Sequence, residues 1–162
     1  IGIEQLKKLS AQVKTRQCAA ERLTIGLNGL VGLRLPVIKP ACTHVYYVYP
    51  LIIDIDMIGV SRKRLVEALV ALGGTGLAGG YVNLHLLPMF QKKIAYGSKG
   101  FPWTSDICDR EVNYDKGICP VAENLHDNTF LALDMCLYEL SDVDVDLIIK
   151  AFVKVWKNIN LL

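Results

Sequence analysis

The amino-acid sequence predicts an α+β fold: a small, mostly antiparallel sheet with helices on one face, and a long helix at the N-terminus. Three observations support this class. The chain has 162 residues, 52% of them hydrophobic and 21% charged, which suits one folded domain and excludes intrinsic disorder. Helix-like and strand-like patterns alternate in the order helix, strand, helix, strand, loop, short helix, strand, helix. The two terminal helical patterns are the clearest.

Residues 3–28 predict the first helix, because apolar residues recur at three- and four-residue steps along one face. Gly29 lies at the point where the pattern ends, as expected for a helix terminus. Pro36 and Pro40 then exclude a regular helix, so the following segment is predicted to be a linker.

The middle of the chain predicts a strand followed by a helix. His44–Ile53 is rich in Val, Ile and Tyr, which is typical of a strand. Pro50 has no N–H group, so this strand is expected to lie at an edge or to be broken there. Ser61 is suited to cap a helix that runs through Leu72 and ends at the following glycines.

The glycine-rich segment 73–80 favours a flexible turn, because a phosphate-binding loop requires Gly-x-x-x-x-Gly-Lys between a strand and a helix. Tyr81–Leu87 has strand character, and Gln91–Ala95 is interpreted as a short helix. Residues 96–118 are predicted to form a long irregular loop. Loops of this length in compact domains are usually functional or mobile.

The C-terminal third contains the strongest helix signal. Residues 120–126 predict a short helix with Pro120 in its first turn, and Thr129–Leu133 predicts a strand. Ser141 and Asp144 then form a capping-box pattern before a continuous apolar stripe. We therefore expect the chain to end in an amphipathic helix.

Composition excludes several classes of protein. The net charge is +2, with 18 basic and 16 acidic residues, so we expect no nucleic-acid partner. The longest apolar run, Val45–Ile53, is too short for a membrane helix, and we expect no membrane partner. Five irregularly spaced cysteines favour reduced thiols in the cytoplasm over a disulfide framework or a metal site.

Few residues indicate a catalytic or binding role from their sequence context alone. His85 lies in an apolar stretch, where a hydrogen-bonded core histidine is more common than a catalytic one. Lys92 and Lys93 could meet a diphosphate, although a solvated helix face is the more common role of such a pair. On these residues alone, the sequence indicates a cytoplasmic α+β domain with a functional loop.

Four stretches in a fixed order resemble the C-terminal part of the PLP-dependent sugar aminotransferases of fold type I, the DegT–StrS group. The first stretch, Ile1–Leu9, resembles the family's interdomain helix, and the second, His44–Tyr49, resembles its His-x-(Tyr/Phe)-x-x-(Tyr/Phe) strand. The third stretch, Ser61–Leu69, resembles the helix before the substrate loop. The fourth, Cys119–Leu125 followed by Leu131–Leu133, resembles the family's late Cys-Pro-x-Ala-Glu-x-Leu motif and the strand after it.

The resemblance implies that residues 1–30 are an interdomain helix and residues 31–162 the C-terminal small domain. The parent enzyme would transfer an amino group from a donor such as glutamate to a keto group of a nucleotide-linked sugar, in amino-sugar or surface polysaccharide biosynthesis. In this family the PLP lysine lies upstream of the interdomain helix. The chain alone is therefore expected to bind no PLP and to be inactive, whereas the full-length enzyme uses PLP.

Two other hypotheses stay open. The first is a non-catalytic binding or regulatory module of the same fold, and the second is an unrelated interaction domain with a coincidental resemblance. The chain begins with Ile1 rather than Met and is interpreted as part of a longer protein. Its apolar excess is expected to leave an open face for the missing N-terminal PLP domain and for a homodimer mate.

The resemblance also assigns candidate substrate-binding residues. His85 corresponds to the first His of the family's His-Tyr-x-Pro-x-His stretch, which lines the sugar pocket, and Pro88 matches its proline. Leu86 replaces the family's Tyr and Phe90 its second His, which implies an unusual nucleotide-sugar substrate. The predicted substrate-binding residues are His85, Asn83, Phe90, Lys92, Tyr96 and Trp103.

Overall fold

The computed structural model describes residues 1–106, 108–137 and 139–162. In chain order its regular elements are α1 (Gly2–Leu27), β1 (Leu33–Arg34), β2 (Val48–Ile53), α2 (Ile55–Ile58), α3 (Arg62–Ala71), β3 (Leu77–Ala78), α4 (Pro88–Gln91), α5 (Pro120–Asn124), β4 (Phe130–Asp134) and α6 (Asp142–Lys157). Within these ranges, no helix combines the length and the apolar character needed to cross a membrane.

The chain divides into two compact units. The first unit comprises residues 1–79 and 128–162 and contains the whole sheet together with α1, α2, α3 and α6. The second unit comprises residues 80–127 and contains α4 and α5. The predicted division into an interdomain helix, residues 1–30, and a small domain, residues 31–162, stays a prediction.

The sheet of the first unit is antiparallel throughout, with the strand order β1-β2-β4-β3. β2 and β4 form its centre, pairing from Val48 opposite Asp134 to Ile52 opposite Phe130. Every second residue of β2 is fully buried, as expected for a strand with one face on a core. The predicted fold class is therefore confirmed.

The core lies between one face of this sheet and α1, α3 and α6. Burial of apolar side chains supplies most of the stabilisation, at roughly 25 cal/mol per Å² removed from water. The fully buried side chains of the core include Leu23, Leu27, Tyr49, Leu51, Ile53, Leu65, Leu69, Leu131, Leu133, Val145, Ile148 and Phe152.

α6 begins with the predicted capping box. The Ser141 hydroxyl accepts a hydrogen bond from the Asp144 backbone N–H at 3.3 Å, and the Asp144 carboxylate accepts one from the Ser141 N–H at 2.8 Å. Arg22 on α1 forms ion pairs with Asp142 and Asp146 on α6. These contacts join the first and last helices of the chain.

The two halves of α1 differ in burial. Ala20 and Leu23 in its C-terminal half are completely buried, because they face α6 and the sheet. In the N-terminal half, the side chains of Ile3, Leu6 and Leu9 are 75%, 67% and 46% exposed. The open apolar face predicted along the first helix is therefore present.

The predicted strand at 44–53 is shorter in the structure. β2 begins only at Val48, because Tyr46 has a positive φ of 49° and its backbone N–H donates to Nδ1 of His44 at 2.9 Å. Pro50 does lie at a local edge. β1 pairs only with Ile52 and Ile53, so at Pro50 the strand has one neighbour, β4.

The strand predicted for Tyr81–Leu87 is wrong. This segment contains a 3-10 turn over Leu84–Leu86, in which local hydrogen bonds replace those of a partner strand. The short helix predicted for Gln91–Ala95 is also misplaced. α4 begins at Pro88 and ends at Gln91, since proline is favoured at the first helical position.

Two very short strands lie in segments that were predicted to be a linker and a turn. β1 pairs with β2, and β3 pairs with β4 through Leu77 opposite Leu133 and Ala78 opposite Ala132. Gly76 directly before β3 has a φ of 73°, which side chains rarely adopt. These strands form the outer edges of the sheet, and a two-residue strand has too little pattern to be predicted.

Candidate functional site

All six predicted substrate-binding residues lie in the second unit, residues 80–127. Most of this unit is irregular, as predicted for the loop 96–118, of which Ile107 falls outside the described residues. In the described part of this loop, Tyr96 and Phe101 form an isolated antiparallel bridge. The shape of the unit therefore depends on side-chain contacts more than on a strand ladder.

An aromatic cluster joins α4 to the loop. The ring centroids of Phe90 and Trp103 are 6.1 Å apart in an edge-to-face arrangement, and both rings contact Tyr114, at 5.2 and 6.2 Å. Trp103 Nε1 donates a hydrogen bond to the Tyr114 hydroxyl at 3.0 Å. The structure thus brings two predicted residues together through a third, Tyr114, that sequence reasoning missed.

Gln91 holds this cluster in place and was also missed. Its Nε2 donates to the backbone oxygen of Tyr114 at 2.6 Å and to that of His85 at 2.7 Å. One side-chain amide therefore connects the aromatic cluster to the segment that carries His85. A polar residue in a short helix gave no sequence signal for this role.

His85 forms the second part of the site, a buried pair with Glu123. Its Nε2 lies 2.9 Å from Oε1 of Glu123, and the two side chains are 11% and 7% exposed. The Gly117 backbone N–H lies 2.8 Å from both carboxylate oxygens, and the Cys119 N–H lies 3.2 Å from Oε1. Gly117 has a φ of 107°, a conformation that favours glycine.

The Glu123 carboxylate is ionised more easily than an ordinary glutamate. Burial raises its pKa, but the hydrogen bonds from Gly117, Cys119 and His85 outweigh this effect and hold the pKa below its usual value. Glu123 is also the one buried charged residue of the described chain. Glu123 belongs to the Cys-Pro-x-Ala-Glu-x-Leu stretch that was recognised in the sequence, but the sequence did not predict that its carboxylate contacts His85.

The other predicted residues are more dispersed. Lys92 is exposed at the C-terminal end of α4, and Tyr96 is 74% exposed with its ring against Phe101. Asn83 Nδ2 is buried without a hydrogen-bond partner among the described residues. Lys93, beside Lys92, lies 3.7 Å from Glu111, so a carboxylate already balances part of the proposed diphosphate-binding charge.

Two shallow cavities adjoin the aromatic cluster. One, of about 470 Å³, is lined by Phe90, Gln91 and Tyr114 together with Lys93 and acidic side chains. The other, of about 420 Å³, lies beside Trp103 and includes Lys93 and Arg110 as well as carboxylates. Aromatic faces beside side chains of both charges suit a polar ligand that also has apolar faces.

No lysine among the described residues is buried. A Schiff-base lysine is activated by burial or by a neighbouring cation. Every lysine here is exposed except Lys93, which is half-buried beside the acidic Glu111. Across residues 1–106, 108–137 and 139–162, no group of three or more His, Cys, Asp or Glu side chains could hold a metal ion.

Comparison with known proteins shows the family to which this chain belongs. Residues 1–129 match the DegT/DnrJ/EryC1/StrS aminotransferase family, and the chain belongs to that family. The resemblance found in the sequence is therefore confirmed.

Individual relatives are longer than this chain. The uncharacterized protein MJ1066 of Methanocaldococcus jannaschii is 33% identical over 113 residues, which cover 70% of this chain and 29% of that protein. The spore coat polysaccharide biosynthesis protein SpsC of Bacillus subtilis is 28% identical over 152 residues, 93% of this chain and 34% of SpsC.

A solved structure of another aminotransferase is also similar to this chain. The aminotransferase TlmJ from Streptoalloteichus hindustanus matches with a TM-score of 0.66 at 26% identity, covering 99% of this chain and 36% of TlmJ. The chain thus spans about a third of the length of the proteins it matches.

Proposed function

We propose that this chain is the C-terminal, substrate-covering part of a PLP-dependent aminotransferase that acts on nucleotide-linked keto sugars. Family membership supports the reaction class, and the similarity to SpsC supports a role in amino-sugar or surface polysaccharide biosynthesis. In this proposal, residues 1–30 are the interdomain helix and residues 31–162 the small domain. The whole enzyme is cytoplasmic and dimeric.

One observation carries the proposal: the six predicted substrate-binding residues, some from the resemblance and some from loop position only, all belong to one compact unit. Phe90 and Trp103 in this unit contact each other and border two cavities with polar linings. A sugar offers apolar C–H faces to aromatic rings and hydroxyl groups to carboxylates and amides. The second unit is therefore suited to form one wall of a sugar site.

The rest of the active site is assigned to an N-terminal PLP domain. Bound PLP supplies the electron sink for amino-group transfer, and the protein orients it. Because the family's PLP lysine lies upstream of the interdomain helix, the chain alone is expected to be inactive. The exposed apolar side chains of Ile3, Leu6 and Leu9 are available to pack against that domain or a dimer mate.

The test is made on the longer protein that contains this chain. Its visible absorbance should contain the band of enzyme-bound PLP, and glutamate should change that band. Replacing Trp103→Ala should raise the KM for a nucleotide-linked keto sugar about tenfold, because an aromatic contact to the sugar is lost. Leu147→Ala, a large side chain exposed on α6, is the control. Absence of the PLP band would overturn the enzyme proposal.

One alternative has an observation in its favour. Leu86 and Phe90 stand where the resembled family has Tyr and a second His. These replacements favour a non-catalytic binding or regulatory module that kept the fold. In that case the longer protein would bind a nucleotide-linked sugar, and the variant at Trp103 would still weaken binding, but glutamate would change no PLP band.

A further inference from the structure

We propose that Glu123 is a positioning residue for His85. It holds the imidazole with a proton on Nε2 and leaves Nδ1 as a hydrogen-bond acceptor for a hydroxyl group of the sugar. The assignment of the protonated nitrogen depends only on this chain. The role toward the sugar rests on the proposed function.

The protonation pattern follows from what a carboxylate can do. An ionised carboxylate only accepts hydrogen bonds, so the His85 nitrogen 2.9 Å from Oε1 has to be the donor. The Gly117 and Cys119 N–H groups approach the same carboxylate and keep it in one orientation. A buried carboxylate with three N–H donors has little freedom to turn away from the imidazole.

The other ring nitrogen of His85, Nδ1, differs from Nε2 in its contacts. It forms no hydrogen bond with a described residue. Among the other histidines, Nδ1 of His44 already accepts from the Tyr46 N–H, and Nδ1 of His126 is buried. Nδ1 of His85, unlike that of His44, is therefore left to accept a hydrogen bond from a ligand.

The backbone of His85 is fixed as well. Its carbonyl oxygen accepts from Gln91 Nε2, whose other partner is the backbone oxygen of Tyr114. Glu123 therefore fixes the ring and Gln91 fixes the main chain. A neutral imidazole in this arrangement presents one lone pair in a constant direction, which is the requirement for recognising one hydroxyl group.

The first test measures the protonation of His85 directly. Long-range ¹H–¹⁵N NMR spectra of the uniformly ¹⁵N-labelled chain, recorded near pH 8, distinguish protonated from unprotonated imidazole nitrogens. The signals are assigned with His44→Gln and His126→Gln. We expect Nε2 protonated and Nδ1 unprotonated in His85. Protonation of Nδ1, alone or together with Nε2, would overturn the proposal without any substitution at Glu123.

The second test uses two matched variants in the longer enzyme. Glu123→Gln should produce a mixture of the two neutral forms of His85 and raise the KM for the nucleotide-linked sugar about tenfold. The kcat is expected to change less. Glu67→Gln, an exposed glutamate on α3, should leave the spectrum and the kinetics unchanged. Unaltered His85 signals or an unaltered KM in Glu123→Gln would contradict the positioning role.

These outcomes separate the two proposals. If the longer protein lacks the PLP band but His85 is protonated on Nε2 only, the proposed function fails and the effect of Glu123 on His85 stands. If transamination is observed but His85→Asn leaves the KM unchanged, the proposed function stands and the contact between Nδ1 and the sugar is overturned.

Discussion

At Glu123, three N–H donors meet one buried carboxylate, from Gly117, Cys119 and His85. Removing a charge from water is costly, and these donors offset the cost by stabilising the ionised form. The same contacts tie α5 to the segment around His85. A single side chain thus determines both the local structure and the electrostatics of the candidate site.

Stability should depend on pH through this residue. Because the pKa of Glu123 is lowered on folding, its contribution is fully present above its ordinary pKa of 4.5 and is lost as pH falls through the lower value in the folded state. Chemical unfolding of the wild type and of Glu123→Gln between about pH 3 and pH 7 measures this. The difference in unfolding free energy between them should shrink on acidification, whereas Glu67→Gln should track the wild type. A difference independent of pH would refute the prediction.

Among the elements, α1 shows how one helix can serve two purposes. Its C-terminal half packs into the core, while its N-terminal half carries exposed apolar side chains. Leu23→Ala should therefore lower the unfolding free energy by about 2–5 kcal/mol, because it leaves a cavity in the core.

Leu6→Ala on the same helix is the matched control for Leu23→Ala. The Leu6 side chain is 67% exposed, so the change should stay within about 0.5 kcal/mol. Urea denaturation of both variants measures the two changes in unfolding free energy. Equal losses would mean that the N-terminal half of α1 also belongs to the core of this chain.

The capping box of α6 provides another test at the scale of an element. Ser141→Ala removes the side-chain acceptor for the Asp144 N–H and should cost about 1 kcal/mol of stability. Ser98→Ala, in an exposed loop, should cost almost nothing. Thermal unfolding of the two variants compares them, and equal midpoints would show that the cap is unimportant.

At the scale of the whole molecule, the two units differ in how much regular secondary structure they contain. The unit of residues 1–79 and 128–162 has a sheet and three packed helices, whereas the described part of residues 80–127 has only short helices, turns and one isolated bridge. Local stability follows the density of buried contacts and of backbone hydrogen bonds. Binding segments are commonly of the less ordered kind.

Hydrogen exchange should reproduce this contrast. Amides of residues 80–127 should exchange faster than those of β2 and β4, with the Gly117 N–H protected because Glu123 accepts its hydrogen bond. Mass spectrometry on the wild type and on Glu123→Gln tests both points. Uniformly slow exchange over 80–127 would contradict the prediction.

The sequence offered candidate residues for the site but little of its geometry. His85 and Phe90 were candidates from a resemblance to a family motif, and Trp103 from its position in the loop. Tyr114, Gln91 and the pairing of Glu123 with His85 were not, because their contacts join segments separated by up to 38 residues of irregular chain. Such contacts leave no periodicity to detect.

The sequence by itself determined the α+β class, the long first helix, the capped last helix and the family, because periodicity, capping residues and motifs are local properties. Only the tertiary structure decided that Tyr81–Leu87 contains a turn, that two-residue strands form the outer edges of the sheet and that Glu123 contacts His85. These features depend on which distant segment supplies the hydrogen-bond partner. The conformation of a polar group, in the backbone or in a side chain, depends on the partner with which it forms a hydrogen bond. When that partner lies in a distant segment, the local sequence does not identify it.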